Sequence, residues 1–300
     1  MSKERILILG VTGMLGHTLF KEMHKNPNFE VFGTTRRKSG LEKYFLEAEF
    51  ERIRDNVDAD NFETVIRAIA AVQPTIIINC IGIIKQLPIS EDPLTAITVN
   101  AQLPHRISLV ARSANARLIH ISTDCVFNGK KGSYTEKDPS NAEDLYGRTK
   151  FLGEVAYPHC ITLRTSIIGH ELKTNFSLID WFMSQADEIK GFTKAIYTGF
   201  STLEMVNIIS NYVIPDKTLN GLYQVSSDPI SKYDLLNIIK DVYKKDIQIN
   251  KYDDFVLDRS LDSTKFKNIT GYKSPDWRPM LIDMYKHVMS EDCYKNKLFR

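Results

Sequence analysis

Cysteine is scarce in this chain of 300 residues, with four in all. Cys80, Cys125, Cys160 and Cys293 form no C-x-x-C pair and no ligand-like spacing with histidine. That excludes a disulfide framework or a zinc site as the organising device and reads as free thiols of a reducing compartment. An excess of one charge is also missing: 39 Lys and Arg face 37 Asp and Glu, for a net charge of +2. The notable basic runs are only Arg36-Arg37-Lys38, Lys130-Lys131 and Lys244-Lys245, so neither a nucleic acid nor a membrane surface is expected as partner. No apolar stretch approaches the roughly twenty residues that span a bilayer, and Ile6–Leu9 is far too short for a signal peptide's hydrophobic region. A cytoplasmic location is expected. No internal repeat or low-complexity linker divides the chain, and no metal is expected, since Asp124 has no second carboxylate or histidine suitably spaced.

What is present suits a full hydrophobic core: 43% of residues are hydrophobic and 25% charged. Short β-branched runs alternate with helical patterns through the first half, which predicts a parallel sheet with right-handed crossover helices. Strands are expected at Arg5–Leu9, Phe29–Thr34, Thr75–Cys80, Arg117–Ser122 and Cys160–Arg164. Helices are expected at Met14–His24, Asn61–Val72, Leu103–Ser113 and Asp144–Val155. Past Leu172 the rhythm loosens, with helices at Ser177–Gln185, Leu203–Val213 and Lys232–Tyr243 and short strands at Gly221–Val225 and Asp246–Ile249.

Directly after the first strand comes Gly10-Val-Thr-Gly13-Met-Leu-Gly16. Small residues there permit a sharp turn, close approach of a pyrophosphate to Gly13, and tight helix–strand packing at Gly16. The helix that follows offers unpaired N–H groups and the positive end of its dipole to the phosphates. The second strand ends in Thr34-Thr35-Arg36-Arg37-Lys38, three cations and no acid. A carboxylate there would bind a ribose 2′-hydroxyl, whereas arginine suits a 2′-phosphate, so NADP(H) is expected over NAD(H), which stays open. The expected architecture is α/β: a Rossmann-type doubly wound parallel sheet with a smaller C-terminal substrate-binding lobe. Residues 1–170 would form the NADP-binding domain and 171–300 mainly the lobe, with some segments returning to the Rossmann sheet.

Tyr146-Gly-Arg-Thr-Lys150 puts a phenol and an ammonium on one helix face. A phenol, with a reference pKa of about 10, is a poor acid–base group at neutral pH, and a nearby ammonium brings it toward the working range. Upstream, Ser122-Thr123-Asp124 lies at the carboxyl end of a buried strand, where open α/β sheets bind ligands. These motifs resemble an extended short-chain dehydrogenase/reductase, and more closely the dTDP-4-dehydrorhamnose reductase family of nucleotide-sugar reductases. The resemblance rests on Gly13-Met-Leu-Gly16, on Ser122-Thr-Asp-Cys-Val-Phe127 with Gly129 and Tyr134-Thr-Glu136, on Tyr146 through Glu154, and on Arg164-Thr-Ser166.

The resemblance implies roles. Tyr146 would donate a proton to the developing alkoxide, Lys150 would bind the nicotinamide ribose and tune Tyr146, and Thr123 would hydrogen-bond the reacting oxygen. Gly10, Thr12, Gly13, Met14, Leu15, Gly16, Arg36, Arg37, Asp58, Ala59, Cys80, Ile81, Gly82 and Asn100 would line the cofactor. Asp124, Cys125, Val126, Asn175 and Arg259 would meet the nucleotide-sugar substrate, with Arg259 at its diphosphate. Cys125 and Ile167 stand where the family has tyrosine and tryptophan, and Ile83-Ile-Lys-Gln86 replaces a small-polar segment, so the sugar is open among dTDP-, UDP-, GDP- and CDP-linked 4-keto-6-deoxy sugars. The implied role is supply of donors for surface polysaccharide. The alternative is an NADP-binding regulatory subunit, resembling that of methionine adenosyltransferase. A homodimer is allowed. Other prominent residues read as structural: His120, Trp181 and Phe182 as core, and Trp277 as the anchor of the C-terminal segment. His170 and Glu171 divide evenly between pocket and surface.

Overall fold

Side chains along Glu4–Leu9 (β1) alternate between two apolar layers: Ile6 and Ile8 enter one buried cluster, Leu7 and Leu9 the other. A strand apolar on both faces has to be covered on both, which is the situation of a parallel α/β sheet. The structure, a computed structural model, describes residues 3–86, 88–291 and 294. Cys293 lies outside them.

The strands that follow are β2 (Phe29–Thr34), β3 (Ile53–Arg54), β4 (Ile76–Asn79), β5 (Arg117–Thr123), β6 (Cys160–Thr165) and β7 (Ile167–Ile168). After them come β8 (Glu188–Tyr197), β9 (Phe200–Ser201), β10 (Gly221–Gln224), β11 (Ile230–Ser231) and β12 (Gln248–Asp258). Seven of them form one sheet in the order β10-β6-β5-β4-β1-β2-β3, every pair parallel. The order reverses between β1 and β4, and a ligand crevice opens at the carboxyl ends there. The fold is therefore the Rossmann-type α/β arrangement expected. A second sheet, β11-β8-β12, and a two-stranded pair, β7-β9, stand apart from it.

Helices Met14–His24, Leu103–Ser113 and Lys232–Tyr243 and strand β2 match expectation residue for residue. Other elements differ for physical reasons. The Tyr146 helix covers Leu145–Leu152 and stops at Gly153, short of Val155. Leu103–Ser113 has a helical lead-in, Pro93–Ala96 and a π-type segment Ile97–Gln102, which the sequence did not announce. Strand β8 escaped notice because Gly191 and Ala195 occupy two of its four buried positions, leaving little apolar alternation. Strand β12 runs for eleven residues with no buried position, so no apolar alternation carried the expected Asp246–Ile249 further, and its register breaks between Tyr252 and Val256.

The larger apolar cluster joins Ile6 and Ile8 to Leu235, Phe266, Trp277 and Met280 from the last seventy residues, so sheet and C-terminal part share one core. Phe182 is buried as expected, whereas Trp181 is 38% exposed. Trp277 anchors the C-terminal helix Trp277–Ser290, its Nε1 donating to the Asp228 carbonyl at 2.8 Å.

Candidate active site

The glycine loop is built as the spacing requires. Gly10 sits at φ +87°, and a Cβ on Gly16 would fall 2.2 Å from the Gly10 carbonyl oxygen, so helix and turn touch only because Gly16 has no side chain. Gly13 caps the helix Met14–His24 without a side-chain hydrogen bond, and no acid stands in its first turn. The amino end is thus left free for a phosphate, which is the fit a dinucleotide demands. Thr12 and Met14 are half-buried at this end and Leu15 is buried. Arg36 and Arg37 are exposed past β2, and among the described residues their side chains make no ion pair.

The opposite wall of the crevice comes from the segment after β4. Cys80 lies close enough to Lys150 to feel its charge, and burial pushes its thiol up to about 12. Ile81 abuts Gly10, and Gly82 stands 3.8 Å (from its would-be Cβ) from Lys150 Nζ. Asn100 holds this wall by its backbone: Oδ1 accepts from Ile83 N at 2.9 Å and Nδ2 donates to Ile83 O at 3.2 Å. Asp58 and Ala59 lie past β3, where Val57 N donates to the Thr35 carbonyl beside the end of β2.

Tyr146 and Lys150 face β5. A Cβ on Gly147 would lie 2.2 Å from the Cys125 carbonyl, so this glycine lets the helix settle against the turn that follows Thr123. The Thr123 hydroxyl lies near the Tyr146 phenol, donates to Asp124 Oδ1 at 3.1 Å and accepts from Cys125 N. Burial pushes the phenol's pKa up, and the neighbouring Cys125, Asp124 and Asp144 add to this. Lys150 Nζ donates to the Ile121 carbonyl at 2.8 Å. Burial brings the Lys150 ammonium down to about 8, opposed by Glu154. Asp144 caps the helix through Gly147 N and pairs with Lys85 at 2.8 Å, so the unusual segment Ile83–Gln86 is tied to the Tyr146 helix.

Asp124, Cys125 and Arg259 gather next to Thr123. Burial raises the Asp124 carboxyl, with Arg259 opposing, and pushes the Cys125 thiol up to about 12. Arg259 donates through Nε to the Phe127 carbonyl at 2.8 Å and through Nη1 toward Cys125 Sγ at 3.5 Å. Val126 is wholly buried with Phe127, Tyr134 and Leu261, so it acts on a pocket only by packing behind it. Asn175 is exposed on a loop organised by Glu171, which accepts from Thr174 Oγ1 and Phe176 N at 2.7 Å each. The structure does not bring Asn175 into hydrogen-bonding contact with the Thr123–Arg259 group among the described residues.

The motifs carried residues to which no role had been given. Glu154 accepts from Arg164 Nε at 2.7 Å and Nη2 at 2.6 Å and from Ser122 Oγ at 2.7 Å, all beneath the site. Lys232 begins the helix Lys232–Tyr243 and faces Asp124, Cys125 and Arg259, with no motif to announce it. His120 is a core residue, its Nδ1 accepting from Asn79 Nδ2 at 3.2 Å. His170 is neither pocket nor surface: it lies in the interior between Asp180 (2.6 Å) and the Tyr243 hydroxyl (2.9 Å). Away from the site, Glu22, His287 and Glu291 converge, but Lys25 and Lys21 already pair with the two carboxylates.

A dinucleotide loop and a Tyr146–Lys150 helix meeting at the carboxyl ends of one parallel sheet make the protein an extended short-chain dehydrogenase/reductase, a class of NAD(P)-dependent oxidoreductases. Residues 4–290 match the family described as RmlD substrate binding domain, and the chain belongs to it. It is 27% identical to the dTDP-4-dehydrorhamnose reductase of Aggregatibacter actinomycetemcomitans over 305 residues, covering 92% of this chain and 97% of that one. It is 32% identical to methionine adenosyltransferase 2 subunit beta of Bos taurus over 152 residues, covering 51% of this chain and 42% of that one. Its fold matches the crystal structure of dTDP-4-dehydrorhamnose reductase from Bacillus anthracis in complex with NADP. There the TM-score is 0.78 at 20% identity, covering 95% of this chain and 99% of that one.

Proposed function

We propose that the protein is an NADPH-dependent reductase of the 4-keto group of a nucleotide-linked deoxysugar, dTDP-4-dehydrorhamnose or a UDP-, GDP- or CDP-linked relative. Its product would serve as a donor for surface polysaccharide, made in the cytoplasm. The observation that carries this reading is the Thr123 hydroxyl beside the Tyr146 phenol at the end of β5, with Lys150 one helical turn on, toward Gly82 and the glycine loop. NADPH would supply the hydride, held by the Gly10–Gly16 loop and, at its 2′-phosphate, by Arg36 and Arg37; NADH is the poorer donor.

In the reductive direction the acid has to be protonated before hydride arrives. Tyr146 meets that requirement, since burial and the neighbouring Cys125, Asp124 and Asp144 hold its pKa above the usual phenol value. Thr123 shares the reacting oxygen and orients it. Lys150, cationic below about pH 8, would hold the nicotinamide ribose and make proton release easier as negative charge grows on oxygen. Asp124, Cys125 and Asn175 would contact the sugar nucleotide, and Arg259 its diphosphate, which supplies binding energy remote from the reacting carbon. In this reading residues 171–300 are mainly the substrate lobe.

A homodimer is part of the proposal. Leu94 (79% exposed) and Leu109 (66%) on one helical stretch and Leu152 (58%) on the Tyr146 helix are exposed, and His105 Nε2 meets the Leu152 carbonyl at 2.8 Å, joining the two helices. Two such exposed apolar helices suit burial against a second copy.

NADPH oxidation against dTDP-, UDP-, GDP- and CDP-linked 4-keto sugars tests the function. Turnover with at least one is expected, and Tyr146→Phe should lower kcat by about a hundred-fold or more while NADPH affinity holds. No oxidation with any of them, in folded and cofactor-bound protein, would sink the reductase reading in favour of the regulatory-subunit one, which the partial likeness to methionine adenosyltransferase 2 subunit beta supports.

A further inference from the structure

In the small sheet, Ser231 of β11 and Asp258 of β12 are both paired with Ile196 of β8. Adjacent strands lie about 4.8 Å apart, so Ser231 and Asp258 are about 10 Å from one another. Because β11 runs antiparallel to β8 and β12 parallel to it, the chain leaves this row in opposite directions. The first residues out are Lys232, toward the Ala195 row, and Arg259, toward the Tyr197 row. Both charges are close enough to act on Asp124 and Cys125, the residues directly after Thr123.

Their circumstances differ. Arg259 is anchored by the Phe127 carbonyl and the Cys125 sulfur. Lys232 is half-buried, and among the described residues it makes no hydrogen bond and no ion pair. Nothing local favours a cation there. It stands at the first position of a helix, against the positive end of the dipole. Burial disfavours its charge and Arg259 repels it. The helix does not need it, because the Ser231 hydroxyl already caps the N–H of Asp234 at 3.0 Å. Asp124, even when ionised, offsets only one of the two cations. The group carries spare positive charge beside Thr123.

We propose that Lys232 is a second cation for the diphosphate of the substrate, acting with Arg259, and so sets affinity for the nucleotide-linked sugar without touching the reacting carbon. This rests on the nucleotide-sugar reading above. The two cations, about 12 Å apart at the backbone, would close on the diphosphate from opposite sides, the ammonium as a point charge and the guanidinium as a fork.

The test is titration calorimetry of NADP-loaded protein with dTDP, UDP, GDP and CDP, and with the matching nucleosides as controls. The parent should bind at least one of the diphosphates. Lys232→Met should weaken that binding roughly ten- to a hundred-fold, with nucleoside and NADP binding unchanged. Lys232→Arg should restore most of it. In turnover, KM for the sugar nucleotide should rise while kcat holds. Thermal stability of Lys232→Met should hold or rise, since a cation opposing the helix dipole is removed; a structural role would lower it. Equal diphosphate affinity in parent and Lys232→Met, or equal weakening of diphosphate and nucleoside, overturns the assignment to Lys232. A parent that binds none of the four diphosphates overturns the nucleotide-sugar reading itself, and the inference falls with it.

Discussion

Replacing Glu154 by glutamine removes one negative charge from beneath the active site and little else, and the structure says what should follow. Glu154 is the buried acid that holds Lys150 cationic, and it carries a bidentate pair from Arg164, whose side chain is 3% exposed. Two effects are expected, and they separate. First, the Arg164 guanidinium loses its counter-charge in a dry site, a change that costs about 3–5 kcal/mol. At about 2–4 °C per kcal/mol the melting temperature should fall by roughly 10 °C. Second, Lys150 should lose its proton at lower pH. A displacement of one pH unit needs about 1.4 kcal/mol, the interaction of two charges roughly 12 Å apart at an effective dielectric near 20, and a four-residue spacing keeps the pair within that range.

In the parent, activity that depends on cationic Lys150 falls as pH rises through about 8. In Glu154→Gln that fall should move down by on the order of one unit. Stability follows the same group with the opposite sense. The folded pKa of about 8 lies below the unfolded value of 10.5, so the unfolded chain holds more protons between them and stability rises with pH across that window. In the variant the window should open at lower pH. The assays are pH profiles of kcat/KM and of the melting temperature. Adding Arg164→Met to Glu154→Gln removes the orphaned cation and should recover stability, yet leave the activity limb displaced, because Arg164 is not among the charges that shift Lys150. An alkaline limb unmoved in folded Glu154→Gln would refute the assignment of Glu154 as the residue that keeps Lys150 charged.

Two further outcomes can be measured directly. Arg36→Ala should raise the KM for NADPH by about ten-fold or more and leave that for NADH unchanged, since the guanidinium has only a 2′-phosphate to meet; steady-state kinetics with both cofactors decide it. Leu109→Glu together with Leu152→Glu should give a monomer by light scattering, and a dimer that persists would place the interface elsewhere.

The sequence announced most clearly those parts whose physics is local. Gly10, Gly13 and Gly16 mark a turn that needs no tertiary context, and the apolar runs of β1 and β4 can only be covered strands. Tyr146 and Lys150 were legible because helical spacing and chemistry coincide. What stayed hidden depends on partners distant in the chain. β8 pairs with β12 some sixty positions away, and its inward face uses Gly191 and Ala195, so no hydrophobic alternation betrays it. Glu154 reads as a surface acid until Ser122 and Arg164 close on it. Lys232 is one of many lysines until β11 carries it to Asp124. Trp181 misled because it neighbours Phe182, and only helix phase separates the exposed ring from the buried one.

The apolar cluster that joins Ile6 and Ile8 to Leu235, Phe266, Trp277 and Met280 fixes more than stability. A C-terminal part mounted on the same core as the parallel sheet cannot swing away from it without exposing that core to water. In the proposed reductase, ligand entry and product release would then fall to surface segments such as the Glu171–Phe176 loop and the Lys85–Asp144 tie. Selectivity in such a molecule lies in the shape and charge that the fold presents before any ligand arrives, rather than in a closing motion.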